Sequence, residues 1–279
     1  MTAKIDGKRI LIYVVLILFT VLCLAPFFML IINATHSHPD IQKGFSALPG
    51  KALWNNLNHV LHNDNLPVIT GLVNSMIVSV CTAALSVYFS ALTAYGIHVY
   101  NFKYKTQVFS FILLIMLVPS QISALGFIRE MMAFGLMDSF IPLIIPAVAT
   151  PATVFFMKQY LESTLSLEIV EASRIDGAGE FRTYNSIIIP LMKPAFAVQG
   201  IFSFVYSWNN YFLPSLLLES KSMKTLPILI AQLRSADFLK FDMGQIYMLI
   251  TLAILPTVIV YILLSKNIVG GIALGGVKG

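Results

Sequence analysis

Glu168, Glu171 and Arg174 stand three residues apart in the run EIVEASRIDGAGEFR, Glu168 to Arg182, so their charges share one face of a helix. Leu165, Ile169, Ala172 and Ile175 recur at helical spacing and make an apolar stripe on another face. The spacing predicts a short amphipathic helix. Gly177 supplies a residue free to take positive φ, as a helix end requires, and Gly179 adds a second loose joint before Glu180 opens another helical run. Amphipathic helices that lie on lipid headgroups carry a polar face rich in Lys and Arg. Here Glu168, Glu171, Asp176 and Glu180 outnumber Arg174 and Arg182, so the chemistry on offer is docking against another protein.

Residue sets that carry catalysis are missing from the chain. A phosphate-cradling Gly-x4-Gly-Lys-Ser/Thr loop does not occur: Gly50-Lys51 is followed by Ala52, and Gly7-Lys8 by Arg9. Neither a His-Glu-x-x-His metalloprotease pair nor a Gly-x-Ser-x-Gly nucleophile elbow is present, so an intramembrane enzyme has no machinery. His36, His38, His59 and His62, with Asp40 and Asp64 nearby, are not spaced as a recognised zinc site and read as a solvated loop. Cys23 and Cys81 both fall in apolar stretches, where a thiol acts as a small apolar side chain.

The elements that must carry the acidic helix are apolar. Of 279 residues 57% are hydrophobic and 11% charged, against about a quarter charged in soluble domains. Six stretches contain no Asp, Glu, Lys or Arg: Ile10 to Ile32, Leu72 to Ile97, Gln107 to Phe127, Ser139 to Met157, Pro194 to Leu218 and Ile246 to Leu264. Each is about the 20 residues that a helix needs to cross hydrocarbon, so the expected fold is an all-α membrane protein with six transmembrane helices. With the N-terminus inside, the inner segments hold 69 residues and 11 basic side chains, the outer ones 77 residues and 7. Basic residues favour the inside, so both termini are expected in the cytoplasm. The net charge of +5 follows from the same bias, and nothing points to nucleic acid.

On this topology residues 1–279 form one membrane domain, 158–193 a long polar cytoplasmic loop between the fourth and fifth spans, and 265–279 a cytoplasmic tail. The tail's Gly270, Gly271, Gly275, Gly276 and Gly279 make it a poor helix former. Residues 33–71 form a long outer loop punctuated by Pro39, Pro49, Gly50 and Pro67. Prolines inside the spans, Pro26, Pro119, Pro142, Pro146, Pro151, Pro214 and Pro256, fit tight helix packing or bends around a pathway. Polar groups in the spans, Asn74, Gln121, Gln199, Asn209 and Asn210, serve either helix–helix hydrogen bonds or such a pathway. The spans offer no ring of acids or bases of the kind that lines an ion channel.

Glu171-Ala172-Ser173, three residues, Gly177, nine residues, then Ile187-Ile188-Ile189-Pro190 resembles the cytoplasmic loop of permease subunits of binding-protein-dependent ABC importers, written Glu-Ala-Ala-x3-Gly-x9-Ile-x-Leu-Pro. Ser173 replaces an alanine, Ile189 a leucine, and Ser166 the proline that opens the helix in many relatives. Arg174-Ile175-Asp176-Gly177-Ala178 and Trp208-Asn209-x-Tyr211-x-x-Pro214 are similar to patterns of the carbohydrate-uptake branch, and the end GGIALGGVKG resembles that of the shorter, second permease in maltose-type systems.

The resemblance implies a carbohydrate importer, for an oligosaccharide or alternatively a polyol or sugar phosphate, in a prokaryotic plasma (inner) membrane. Its partners are a second, non-identical permease, two ATPase subunits that bind the ATP and Mg, an extracytoplasmic sugar-binding protein, and lipid; this chain itself binds no cofactor and catalyses nothing. It implies a coupling role for Glu171, Ala172, Ser173, Arg174, Asp176, Gly177 and Pro190. Gly276 and Lys278 then meet the ATPases. Trp208, Asn209 and Tyr211 are expected in the translocation pathway, since sugar rings stack on aromatic faces and hydroxyls pair with amides.

Overall fold

A computed structural model describes residues 7–63, 66–234 and 242–275. Among the described residues the regular elements are helices, with no strand. The first apolar stretch is one helix, α1 (Gly7–Ala34), unbroken by Pro26. Two short helices, α2 (His38–Gln42) and α3 (Leu53–Leu61), lie in the polar segment that follows, and the second stretch is again continuous as α4 (Val68–Val99).

The next two stretches are broken where proline dictates. α5 (Lys105–Ile115) tightens into three-residue backbone bonds over Met116–Val118, and α6 (Ser120–Ala133) begins after Pro119, whose ψ of 125° is extended. Proline has no N–H to give and bars the preceding residue from helical ψ. Pro142, Pro146 and Pro151 divide the fourth stretch into α7 (Ile141–Ile144), a 3₁₀ turn at Ile145–Val148 and α8 (Pro151–Thr164), which starts on its proline. α8 runs beyond Met157, where the polar segment was expected to begin, to Thr164. Lys158 and Glu162 pair across one turn at 2.5 Å, and the Lys158 ammonium lies 4.3 Å from the centre of the Phe109 ring, so polar side chains here extend the helix.

Beyond it come α9 (Leu167–Ile175), α10 (Glu180–Thr183), a π-helical turn at Tyr184–Ile188, α11 (Ile189–Leu191) and α12 (Lys193–Trp208). The helical rod over Glu180–Leu191 meets α12 at 82°, next to Pro194. α13 (Phe212–Leu217) follows after the break at Asn209–Tyr211, then α14 (Leu226–Arg234) and α15 (Met243–Gly275). α15 continues through Gly270 and Gly271, further than the glycine content predicted. A long preformed helix supplies the nucleus, and each added residue then gains a hydrogen bond.

Among the described residues four helical segments are long and apolar enough to cross a membrane, Gly7–Ala34, Val68–Val99, Ile141–Thr164 and Met243–Lys266, and a fifth is reached if the bent pair ending at Trp208 is counted as one span.

The described residues fall into two compact units. One holds those before Ile69 with Leu229–Leu255. In it the buried Asn56 amide donates to the carbonyls of Ala34 and His36 at 2.9 and 2.8 Å, and the Met243 N–H donates to His38 Nδ1 at 3.1 Å. Gly50 and Gly244 permit close approach here, because a Cβ would fall 2.5 Å from the Thr35 carbonyl and 2.7 Å from the His36 carbonyl.

The other unit holds Ile69–Ile228 and the described residues from Pro256 onward. Ala91, Ala94, Ser86 and Ser90 of α4 are buried and small, so neighbouring backbones come close. Met157 and Leu161 of α8, Val170 of α9, and Tyr184, Ile188 and Met192 complete that core against Val87 and Tyr95. The Tyr184 hydroxyl donates to the Tyr88 carbonyl at 2.8 Å.

Candidate functional site

Ser166 caps α9, its hydroxyl accepting from the Glu168 N–H at 3.3 Å. At the other end Gly177 takes φ +77°, and the N–H of Ala178 donates to the Ser173 carbonyl at 2.9 Å, which closes the helix and turns the chain. α10 begins three residues later. The Arg174 Nε–H donates to Glu180 Oε1 at 2.9 Å, the Tyr95 hydroxyl donates to Oε2 at 3.3 Å, and the guanidinium lies 5.5 Å from the centre of the Tyr100 ring. A hydrogen bond from Tyr100, then those from Arg174 and Tyr95, hold the Glu180 carboxyl below the usual range against a desolvation that acts the other way. Ser173 is buried; its hydroxyl donates to the Val170 carbonyl at 2.8 Å and sits 3.1 Å from that of Thr183.

The structure therefore divides the seven loop residues. Ser173 and Arg174 bind α9 to α10, whereas Glu171, Ala172, Asp176, Gly177 and Pro190 are exposed. The apolar stripe divides too: Leu165 is buried in the chain's own core, while Ile169, Ala172 and Ile175 face outward, Ile175 with 85% of its surface open. Phe181 on α10 is 77% exposed as well.

A cavity of about 760 Å³ opens among α4, α5, α6, α8 and α12. Its polar wall comes from Gln199, Ser203, Tyr206 and Asn210 on α12 and the turn after it, facing Ser86 of α4 and Thr153 of α8. Hydroxyls join three helices there: Ser203 donates to Ser86 and Ser86 to Thr153, each at 3.3 Å. Phe127, Phe156 and Phe202 add ring surface.

Of the pathway residues expected from type, Trp208 is buried and stacked on Phe204 at 5.6 Å, the Asn209 amide donates to the Val205 carbonyl at 2.9 Å, and Tyr211 is exposed. None of the three lines the cavity, and neither does Gln121. Gln199 and Asn210 do. Asn74 serves packing instead, its amide donating to the carbonyls of Ser222 and Lys224 at 2.8 and 2.9 Å. The signal for the cavity-lining residues of α12 is helical phase, since 199, 203 and 206 recur at four and three residues and share one face. Gly276 and Lys278 lie outside the described residues.

Asp138 gave no signal in the sequence. At φ +54° its N–H donates to the Leu217 carbonyl at 2.8 Å. Its carboxylate accepts from the N–H groups of Glu219 and Ser220 at 2.9 and 3.0 Å and from the Ser220 hydroxyl, tying the turn before α7 to the turn after α13. The Ser220 hydroxyl and those amides hold this carboxyl below its ordinary range.

The family model described as binding-protein-dependent transport system inner membrane component matches residues 86–272. The chain is 36% identical over 209 residues to the arabinooligosaccharides transport system permease protein AraQ of Bacillus subtilis, covering 74% of this chain and 72% of that one. It is 28% identical over 271 residues to the sn-glycerol-3-phosphate transport system permease protein UgpE of Yersinia pestis, covering 95% of this chain and 96% of that one. Against the lactose transport system permease protein LacG of Rhizobium radiobacter identity is 28% over 266 residues, 95% of either chain. In fold it is similar to a chain of a bacterial ABC transporter involved in the import of the acidic polysaccharide alginate, with a TM-score of 0.81, 22% identity, and coverage of 95% of this chain and 99% of that one. The chain belongs to the family of binding-protein-dependent transport system inner membrane components and is a multi-pass membrane protein.

Proposed function

We propose that the chain is one of two non-identical permease subunits of an ATP-driven, binding-protein-dependent carbohydrate importer. The observation that carries this reading is the two-sided loop helix. One face of α9 is locked into the core through Val170, Ser173 and the Arg174–Glu180 pair, and the other offers Ile169, Ala172 and Ile175 to a partner. Such a helix passes rigid-body motion from a groove on an ATPase to the helices it is packed on. The Glu180–Tyr95 bond leads to α4, and α4 bears Ser86 at the cavity wall.

In this reading six spans cross the inner membrane, with the broken stretches around α5–α6 and α12–α13 each counted as one, and both termini and the 158–193 loop are cytoplasmic. Two ATPase subunits bind ATP and Mg, the tail residues Gly276 and Lys278 meet them, and an extracytoplasmic binding protein delivers the solute. Closure of the ATPases opens the cavity alternately to either side. The relatives' names support a carbohydrate cargo but divide between neutral sugars and a sugar-alcohol phosphate.

The test is uptake by proteoliposomes holding the complete importer. Uptake is expected only with ATP and the binding protein, and Ile175→Glu, which charges the exposed stripe, should abolish it with the chain still in the membrane. Uptake without ATP, or full activity of the variant, contradicts the proposal.

A further inference from the structure

We infer that this chain's wall of the cavity passes neutral, hydroxyl-rich solutes and holds back anions, so that the cargo is a neutral saccharide and not a sugar phosphate or uronate. The inference rests on the reading of the cavity as the pathway and narrows its substrate. Among the described residues the lining holds no Asp, Glu, Lys, Arg or His. Its polar side chains are the hydroxyls of Thr82, Ser86, Ser123, Thr150, Thr153, Ser203 and Tyr206 and the amides of Gln199 and Asn210, each able both to donate and to accept. A sugar hydroxyl is likewise donor and acceptor and finds partners on such a wall, while the C–H faces of its rings suit the aromatic rings beside it.

An anion fares differently. Removing it from water is costly unless a cation or several donors replace the lost hydration. The cations nearest in sequence are not in the lining: Arg129 is exposed on α6, and Lys158 is held between Glu162 and the Phe109 ring. The start of α8, Pro151 to Thr153, does reach the cavity. A helix N-terminus carries roughly half an elementary charge. Here the proline at its first position removes one free N–H and leaves those of Ala152 and Thr153, a partial charge short of the full one that Lys or Arg would bring. At about 760 Å³ the space falls within the ~300–1,000 Å³ of ordinary small-molecule sites.

The experiment uses membranes holding the complete importer, with Cys23 and Cys81 replaced by serine and Ser203→Cys or Tyr206→Cys introduced at the wall. Each is treated with two methanethiosulfonates of similar size, the neutral hydroxyethyl and the anionic sulfonatoethyl reagent. Rates are scaled to those at Leu48→Cys, an exposed surface position. The neutral reagent should react faster at both wall positions by roughly tenfold or more, the ratio that a small electrostatic barrier imposes. Equal rates, or a faster anion, overturn the selectivity and leave the pathway standing. Failure of both reagents at both positions, at rest and during ATP turnover, overturns the pathway reading and the inference with it. Two wall positions guard against one substitution disturbing the fold.

Discussion

Replacing Gly177 tests whether the loop depends on backbone conformation or on space. A Cβ there would meet nothing within 4 Å, so the demand is the φ of +77° alone. Left-handed backbone costs an ordinary residue about 1–2 kcal/mol, and asparagine tolerates it better. Gly177→Asn should therefore keep most uptake, whereas Gly177→Leu should lose it at the same membrane level; equal uptake in both would contradict a conformational role. Asp138 combines the same backbone demand with three accepted hydrogen bonds. Its carboxyl titrates below the ordinary value, so the stabilisation is complete above that value and fades as pH falls through the lowered one. The purified wild-type importer should melt higher than Asp138→Asn at neutral pH, and the two should converge in acid below the carboxylate range. A gap between them that is constant with pH would remove the charge from the explanation.

The helix-turn-helix over α9 and α10 was legible from Glu168 to Glu180 because periodicity, an N-cap serine and a terminal glycine all point the same way. Which face turns inward was not. Leu165 and Ile175 belong to one apolar stripe by spacing, yet Leu165 is the extended residue that ends α8, before α9 begins, and is buried, while Ile175 on α9 is open. On α12 residue type does not tell which side chains reach the cavity. Trp208 suits a sugar, but four residues after Phe204 it lies on the packed face, while Ser203 and Tyr206 occupy the open one. Charge-free length located α1, α4 and α15 well and missed the breaks beside Pro119 and Asn209, because a count of apolar residues does not register backbone bonds lost to proline. Glu180 is the joint between elements that can be probed singly. Glu180→Gln retains an acceptor for Tyr95 and Tyr100 and should keep solute-stimulated ATPase activity, whereas Glu180→Ala should lose most of it. Equal stimulation in both variants would show that α10 transmits nothing through that side chain.

At the scale of the whole chain, the family model matches residues 86–272 and the fold neighbour covers 95% of the chain. α9 offers an apolar face that nothing in the described chain covers, and the chain has no phosphate-binding loop with which to use ATP itself. Both features suit the proposed importer permease, to which energy would come through a docked partner. The most direct test is affinity purification of the chain from its native membranes in mild detergent, with mass spectrometry of the eluate and an assay of its ATPase activity. Recovery of a second permease and an ATPase, with hydrolysis stimulated by a solute-loaded binding protein, is the expected result. A chain that elutes alone, or only with copies of itself and without ATPase activity, would contradict it.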